Sequence, residues 1–181
     1  MLCQKSMPNL SVERGVPRRP LTAASPLLEY VGRSKEHMKY DDASWHYGGS
    51  FPEGQPIENG GTHIALFLKW CFSKGWAGNL HLEQEQEPEA IQALVNGEMS
   101  ATEFFFTYCD GKFIDEDLND EGNTFASKYY GDNGLYLEDY AENFGELMYV
   151  APESLHDFKK FSAMLDARFA SGLLEKASDE E

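Results

Sequence analysis

The sequence predicts a mainly α-helical fold: one compact helical domain over residues 38–172 with at most a small sheet, α+β being the alternative. Three features point there. Apolar residues recur at helical spacing in segments 62–74 and 152–172. Capping and stop residues bracket the patterned segments. Only one short stretch, 147–150, reads as a strand.

Residues 1–37 are expected to form a disordered basic tail. Pro8, Pro17, Pro20 and Pro26, with Arg14, Arg18 and Arg19 between them, let no period hold. An expression tag, a start codon set too far upstream and a natural appendage all fit it. Residues 39–61 read as a loop, with turn formers Gly48, Gly49, Pro52, Gly54, Pro56, Gly60 and Gly61 among anchoring aromatics.

Thr62 can cap the next segment and Gly75 follows its end. Ile64, Phe67, Leu68 and Cys71 form its apolar stripe, while Leu66, Trp70 and Phe72 add apolar faces. A helix apolar on nearly every side belongs at the centre of the domain. Pro88 suits a first helical position, ahead of Ile91, Leu94 and Val95. Ser100-Ala101-Thr102-Glu103 reads as a capping box, and Asp110-Gly111 ends its helix.

A further helix is expected over 115–130, capped by Asp115, with Leu118, Gly122, Phe125 and Tyr129 on one face. A short helix over 135–144 follows. The last helix starts at Pro152 with Leu155, Phe158, Phe161, Leu165 and Phe169 on one side, and Gly172 stops it. Residues 173–181 form an acidic C-terminal tail. No repeat is visible.

Charge narrows the function. Net charge is −16, yet residues 1–38 hold six Lys/Arg against three Asp/Glu, a net of +3. Residues 39–181 hold nine against 28, a net of −19. Such a domain repels nucleic acid and anionic membranes, and attracts basic proteins. No apolar run approaches the roughly 20 residues of a membrane span, and no signal peptide is seen, so a cytoplasmic location is expected. Cys3, Cys71 and Cys109 are odd in number and widely spaced, and the latter two sit among aromatics, as reduced thiols do.

Recognised chemistry is mostly missing. There is no Gly-x-Gly-x-x-Gly, no Gly-Lys-Ser/Thr, no Cys-x-x-Cys and no His-Glu-x-x-His. Gly60-Gly61-Thr62 could offer amides to an anion, but no lysine stands where a phosphate loop needs one. The acidic run from Asp115 fails as a calcium loop in both registers: Asp120 or Lys128 stands where glycine or glutamate is required. The five histidines are scattered, and each reads as a solvated or core-edge residue. No cofactor, metal ligand or catalytic residue is therefore assigned. Asp41, Asp42, Trp45 and His46 form the one local cluster of mixed chemistry; His63 opens the central helix, and Asp115, Glu116 and Asp117 form an acidic helix start. These eight are the candidate partner-binding residues. Trp45 is equally suited to plugging the core.

Lys39-Tyr40-Asp41-Asp42-Ala43-Ser44-Trp45-His46, Phe51-Pro52, Gly61-Thr62-His63-Ile64 and Phe67-Leu68-x-Trp70 together resemble a bacterial domain family of unknown function. Phe113-x-Asp115-Glu116-Asp117-Leu118, Gly122-Asn123, Phe125-Ala126 and Tyr129-Tyr130 fit the same pattern. The resemblance covers about 38–171, with no established site residues to carry over. Its small acidic members resemble the immunity proteins of polymorphic bacterial toxins. That likeness implies a binding protein that occludes a cognate, basic secreted toxin. A regulatory or structural interaction domain is the alternative. A small enzyme with a site near Asp41, His46 and His63 is the third reading.

Overall fold

The computed structural model describes residues 37–49, 51–84, 87–131, 134–145, 149 and 154–172. The expected N-terminal tail up to residue 36, the C-terminal tail and all of the expected strand except Tyr149 lie outside the described residues; Tyr149 is in a turn.

The fold is mainly helical with a two-stranded sheet, as the patterning predicts. Strand β1 (Lys39–Asp42) pairs antiparallel with β2 (Lys112–Ile114), and Asp41 faces Phe113 in register. The pairing is irregular between Lys39 and Asp41. β1 corrects the reading of 39–61 as loop throughout. Its Tyr40 ring stacks on Phe113 with centroids 4.6 Å apart, a cross-strand pairing that no local pattern in either segment reveals. A 3-10 turn, Ala43–His46, leaves β1, and a second, Ile57–Gly61, leads into the central helix.

Helix α1 (Thr62–Ser73) is buried at every position from Thr62 to Phe72. It turns off at Gly75, whose φ of +79° is the left-handed conformation glycine adopts freely. A short α2 (Asn79–Leu82), then α3 (Glu87–Asn96) and α4 (Ala101–Tyr108) follow; α3 and α4 pack on α1. Ser100 caps α4, as one half of the expected capping box requires: its Oγ accepts from the Glu103 amide at 3.0 Å. Asp110 and Gly111, both at positive φ, swing the chain into β2.

The helix expected over 115–130 is split. Asp115–Asp117 is a 3-10 turn, and α5 (Asp120–Tyr129) starts afresh with the Asn119 side chain accepting from the Gly122 amide. The break arises because Leu118 is extended and bridges to Ala77. Helices α6 (Tyr136–Phe144) and α7 (Leu155–Ala170) complete the domain. Among the described residues no helix is long and apolar enough to cross a membrane.

Phe67 on α1 is the hub of the core. Its ring lies 4.9 Å from Tyr130, 5.0 Å from Tyr136, 5.7 Å from Phe113 and 6.3 Å from Phe125. Aromatic rings at 4.5–7 Å add to area burial by roughly 0.5–1.5 kcal/mol per pair. This aromatic core fixes where β1, α1 and α5 meet, and with them the polar residues below.

Candidate functional site

Two histidine clusters form inside the domain. The first gathers on Asp41, at the end of β1. Asp41 Oδ1 lies 2.8 Å from His46 Nε2 and accepts from the Asp42 amide at 2.7 Å. Its Oδ2 lies 3.3 Å from His63 Nε2 and accepts from the Tyr130 hydroxyl at 2.6 Å. The His46 and His63 rings meet edge to face, 4.4 Å apart. His63 is 1% exposed, and its Nδ1 is buried without a hydrogen-bond partner.

Burial pushes Asp41 upward, but hydrogen bonds from His46, His63 and Tyr130 more than reverse that and hold its carboxyl well below the usual range. Burial lowers His63, and the charge of His46 adds to that; the hydrogen bond to Asp41 only partly opposes it. Asp41 is thus the charged member, held by a neutral His63. Burial and the neighbouring Asp41 raise Tyr130 well above the phenol range, so it donates throughout the physiological range.

The second cluster centres on His81 of α2, wholly buried. Its Nδ1 is 2.7 Å from Glu87 Oε2, and its Nε2 is 2.8 Å from Asp117 Oδ1. Cys109 Sγ, at the end of α4, lies 4.0 Å from Nε2. Burial opposes a charge on the ring, but Asp117 and then Glu87 outweigh it and raise the His81 pKa. Burial and the carboxylates of Asp117 and Glu87 push the Cys109 thiol far up, which makes it a poor nucleophile. Burial does the same for Cys71. The structure thus corrects the view of all histidines as solvated or core-edge: His63 and His81 are both buried in the core, His81 with both ring nitrogens engaged and His63 with only Nε2 engaged.

A cleft of about 550 Å³ opens beside α2 and the 115–117 turn. Its lining includes Glu83, Asp115, Glu116, Asp120, Asn119 and Asn123. Tyr40 and the backbone carbonyls of Asp115 and Leu118 engage Asn123, which holds the floor in place. Gly78 lets the start of α2 approach the 115–117 turn closely: its amide donates to the Asp117 carbonyl at 2.9 Å, and a Cβ there would overlap the Glu116 carbonyl oxygen.

The eight candidate residues thus fall in five places. Asp41, His46 and His63 meet in one cluster. Asp42 caps the 3-10 turn through Ser44 and pairs with Lys39 at 2.8 Å. Asp115 and Glu116 line the cleft with His37 3.6 and 3.5 Å away, whereas Asp117 turns inward to His81. Trp45 is 61% exposed under the Lys39 ammonium, which overturns the core-plug reading. Sequence reasoning missed His81, Glu87, Cys109 and Tyr130. The one local signal was a histidine flanked by Leu80 and Leu82 in an otherwise polar stretch.

A family model described as a domain of unknown function, DUF7832, matches residues 39–154. The chain belongs to that family. No curated protein and no solved structure matches it. Both histidine clusters and the acidic cleft lie inside the DUF7832 span, and α7 lies beyond it.

Proposed function

We propose that this DUF7832 domain is a binding protein that holds a basic protein partner, and that it serves as an immunity protein occluding a cognate bacterial toxin. One observation carries the reading. Among the described residues, the ten that line the 550 Å³ cleft include Glu83, Asp115, Glu116 and Asp120 and no Lys or Arg. A concave acidic surface on a domain whose residues 39–172 carry a net charge of −16 focuses its field and speeds the approach of a cationic partner. A cytoplasmic site of action agrees with the unpaired thiols of Cys71 and Cys109.

The test is co-expression with the toxin domain encoded beside its gene, scored by survival of the host. The domain is expected to protect, and the combined Glu83→Lys, Glu116→Lys and Asp120→Lys variant to lose protection while keeping its far-UV dichroism. Equal protection by the folded triple variant, or no toxin gene nearby, counts against the reading.

The enzymatic alternative has the meeting of Asp41, His46 and His63 in its favour. Asp41, however, is engaged by four neighbouring groups, and His63 is sealed from solvent. A carboxylate saturated by its own fold is a structural knot, so the binding reading is preferred.

A further inference from the structure

His81, Cys109 and Asp117 stand 28 and eight positions apart in sequence, with no motif linking them, yet a ligand atom from each lies within 4.8 Å of the others. We propose that they form a zinc(II) site that clips α2, the end of α4 and the 115–117 turn together.

The supporting contacts turn the right atoms inward. The His81 Nδ1 is taken by Glu87 at 2.7 Å, leaving Nε2 to face the cluster. Asp117 Oδ2 accepts from the Ile114 amide at 2.7 Å, leaving Oδ1 to face it. A carboxylate on the far nitrogen of a metal-bound imidazole is the usual outer partner of a zinc ligand, and it fixes the tautomer. Glu87 already occupies that position.

The spacing fits after a small adjustment. Zinc bonds of about 2.0–2.3 Å in a tetrahedron put neighbouring donors roughly 3.3–3.6 Å apart. The His81–Asp117 pair at 2.8 Å would open by about half an ångström, and the Cys109–His81 pair at 4.0 Å would close by as much. Imidazole, thiolate and carboxylate together favour zinc over the harder magnesium and calcium. Zinc displaces the proton on His81 Nε2 and the one on Cys109 Sγ, and both pass to solvent. The dication is then matched by a thiolate and a carboxylate, and one coordination position is left to a non-protein ligand.

The Asp41 cluster fits a metal less well. His63 Nδ1 lacks the outer acceptor that a ligating imidazole needs, and Tyr130 and the Asp42 amide already engage the carboxylate.

Cobalt(II) is the probe. The full chain, stripped with EDTA under reducing conditions, is titrated with Co²⁺ and followed in the near ultraviolet. A thiolate-to-cobalt charge-transfer band is expected to saturate at one equivalent and to vanish on adding zinc. Cys109→Ser should abolish it, while Cys71→Ser and Cys3→Ser keep it. Zinc should also raise the thermal midpoint of the wild type and leave that of Cys109→Ser unmoved. The absence of a band in folded wild-type protein, which needs no variant, overturns the site. So does a band that persists in folded Cys109→Ser. Neither result depends on whether the acidic cleft binds a partner.

Discussion

The Tyr130 hydroxyl donates to Asp41 Oδ2 across 2.6 Å, joining residues 89 positions apart and tying the end of α5 to β1. Both groups are buried, so removing the hydroxyl leaves one site of a buried carboxylate oxygen unpaired. Losing one such bond to a charged acceptor costs roughly 1.5–3 kcal/mol. Tyr130→Phe is therefore expected to unfold at lower urea with an unchanged slope. A loss below about 0.5 kcal/mol would mean that water or His63 takes over the contact.

The two buried histidines give stability opposite slopes with pH. His63 has a lowered pKa, so below the ordinary imidazole value of about 6.5 the unfolded chain takes up a proton that the folded one refuses. Stability then falls as pH drops from there. His81 has a raised pKa, so its contribution is complete below about 6.5 and is lost as pH climbs through the folded value. Denaturation of metal-free protein across pH 5 to 9 should therefore peak near about pH 6.5. His81→Gln should flatten the alkaline flank and leave the acidic one. Below about pH 4 a steeper fall follows, as protons reach Asp41 and Asp139, both held below their usual range.

Helices were legible in the sequence where pattern and caps agreed. The stripe from Ile64 to Cys71 and the Ser100 N-cap each describe an interaction complete within one turn or two, and local residues suffice to specify it. β1 and β2 were not legible, because a strand of four residues and one of three acquire their identity from each other. The candidate site divides along the same line. Asp41 and His46 are five apart, which a local pattern shows, and His63 follows only 22 positions after Asp41. His81 meets Asp117 from 36 positions away, and only the tertiary fold creates that contact. Asp117 itself was grouped with Asp115 and Glu116 by charge, while the 3-10 turn sends it to the opposite side.

Gly78 is one position where the fold tolerates no side chain. Its Cβ position is filled by the Glu116 carbonyl, and the Ala77–Leu118 bridge holds the two segments in contact. Gly78→Ala must push α2 away from the 115–117 turn. Overpacking of this kind costs roughly 1–3 kcal/mol. Because His81 rides on α2, the variant should also weaken the His81–Asp117 pairing. NMR would show this as a changed His81 ring titration with the Asp41 cluster unaltered. An unshifted His81 signal would show that α2 rotates in place.

Trp45 separates two accounts of the same motif. A tryptophan that plugged the core would cost roughly 3–5 kcal/mol on truncation. At 61% exposure, with the Lys39 ammonium 5.3 Å from its ring, Trp45→Ala should cost no more than about 1 kcal/mol. Trp70 and Trp76 are buried, so acrylamide should quench one accessible tryptophan in the wild type and none in Trp45→Ala. Acrylamide is the right quencher because it is neutral, whereas the acidic surface would repel iodide. A quenchable population that survives the substitution would place Trp70 or Trp76 at the surface and break the core described above. If the population disappears, an exposed aromatic stands beside β1 at almost no cost to folding. Exposed tryptophans of that kind are the residues most enriched among binding hot spots, so the variant that leaves stability intact should weaken capture of a partner.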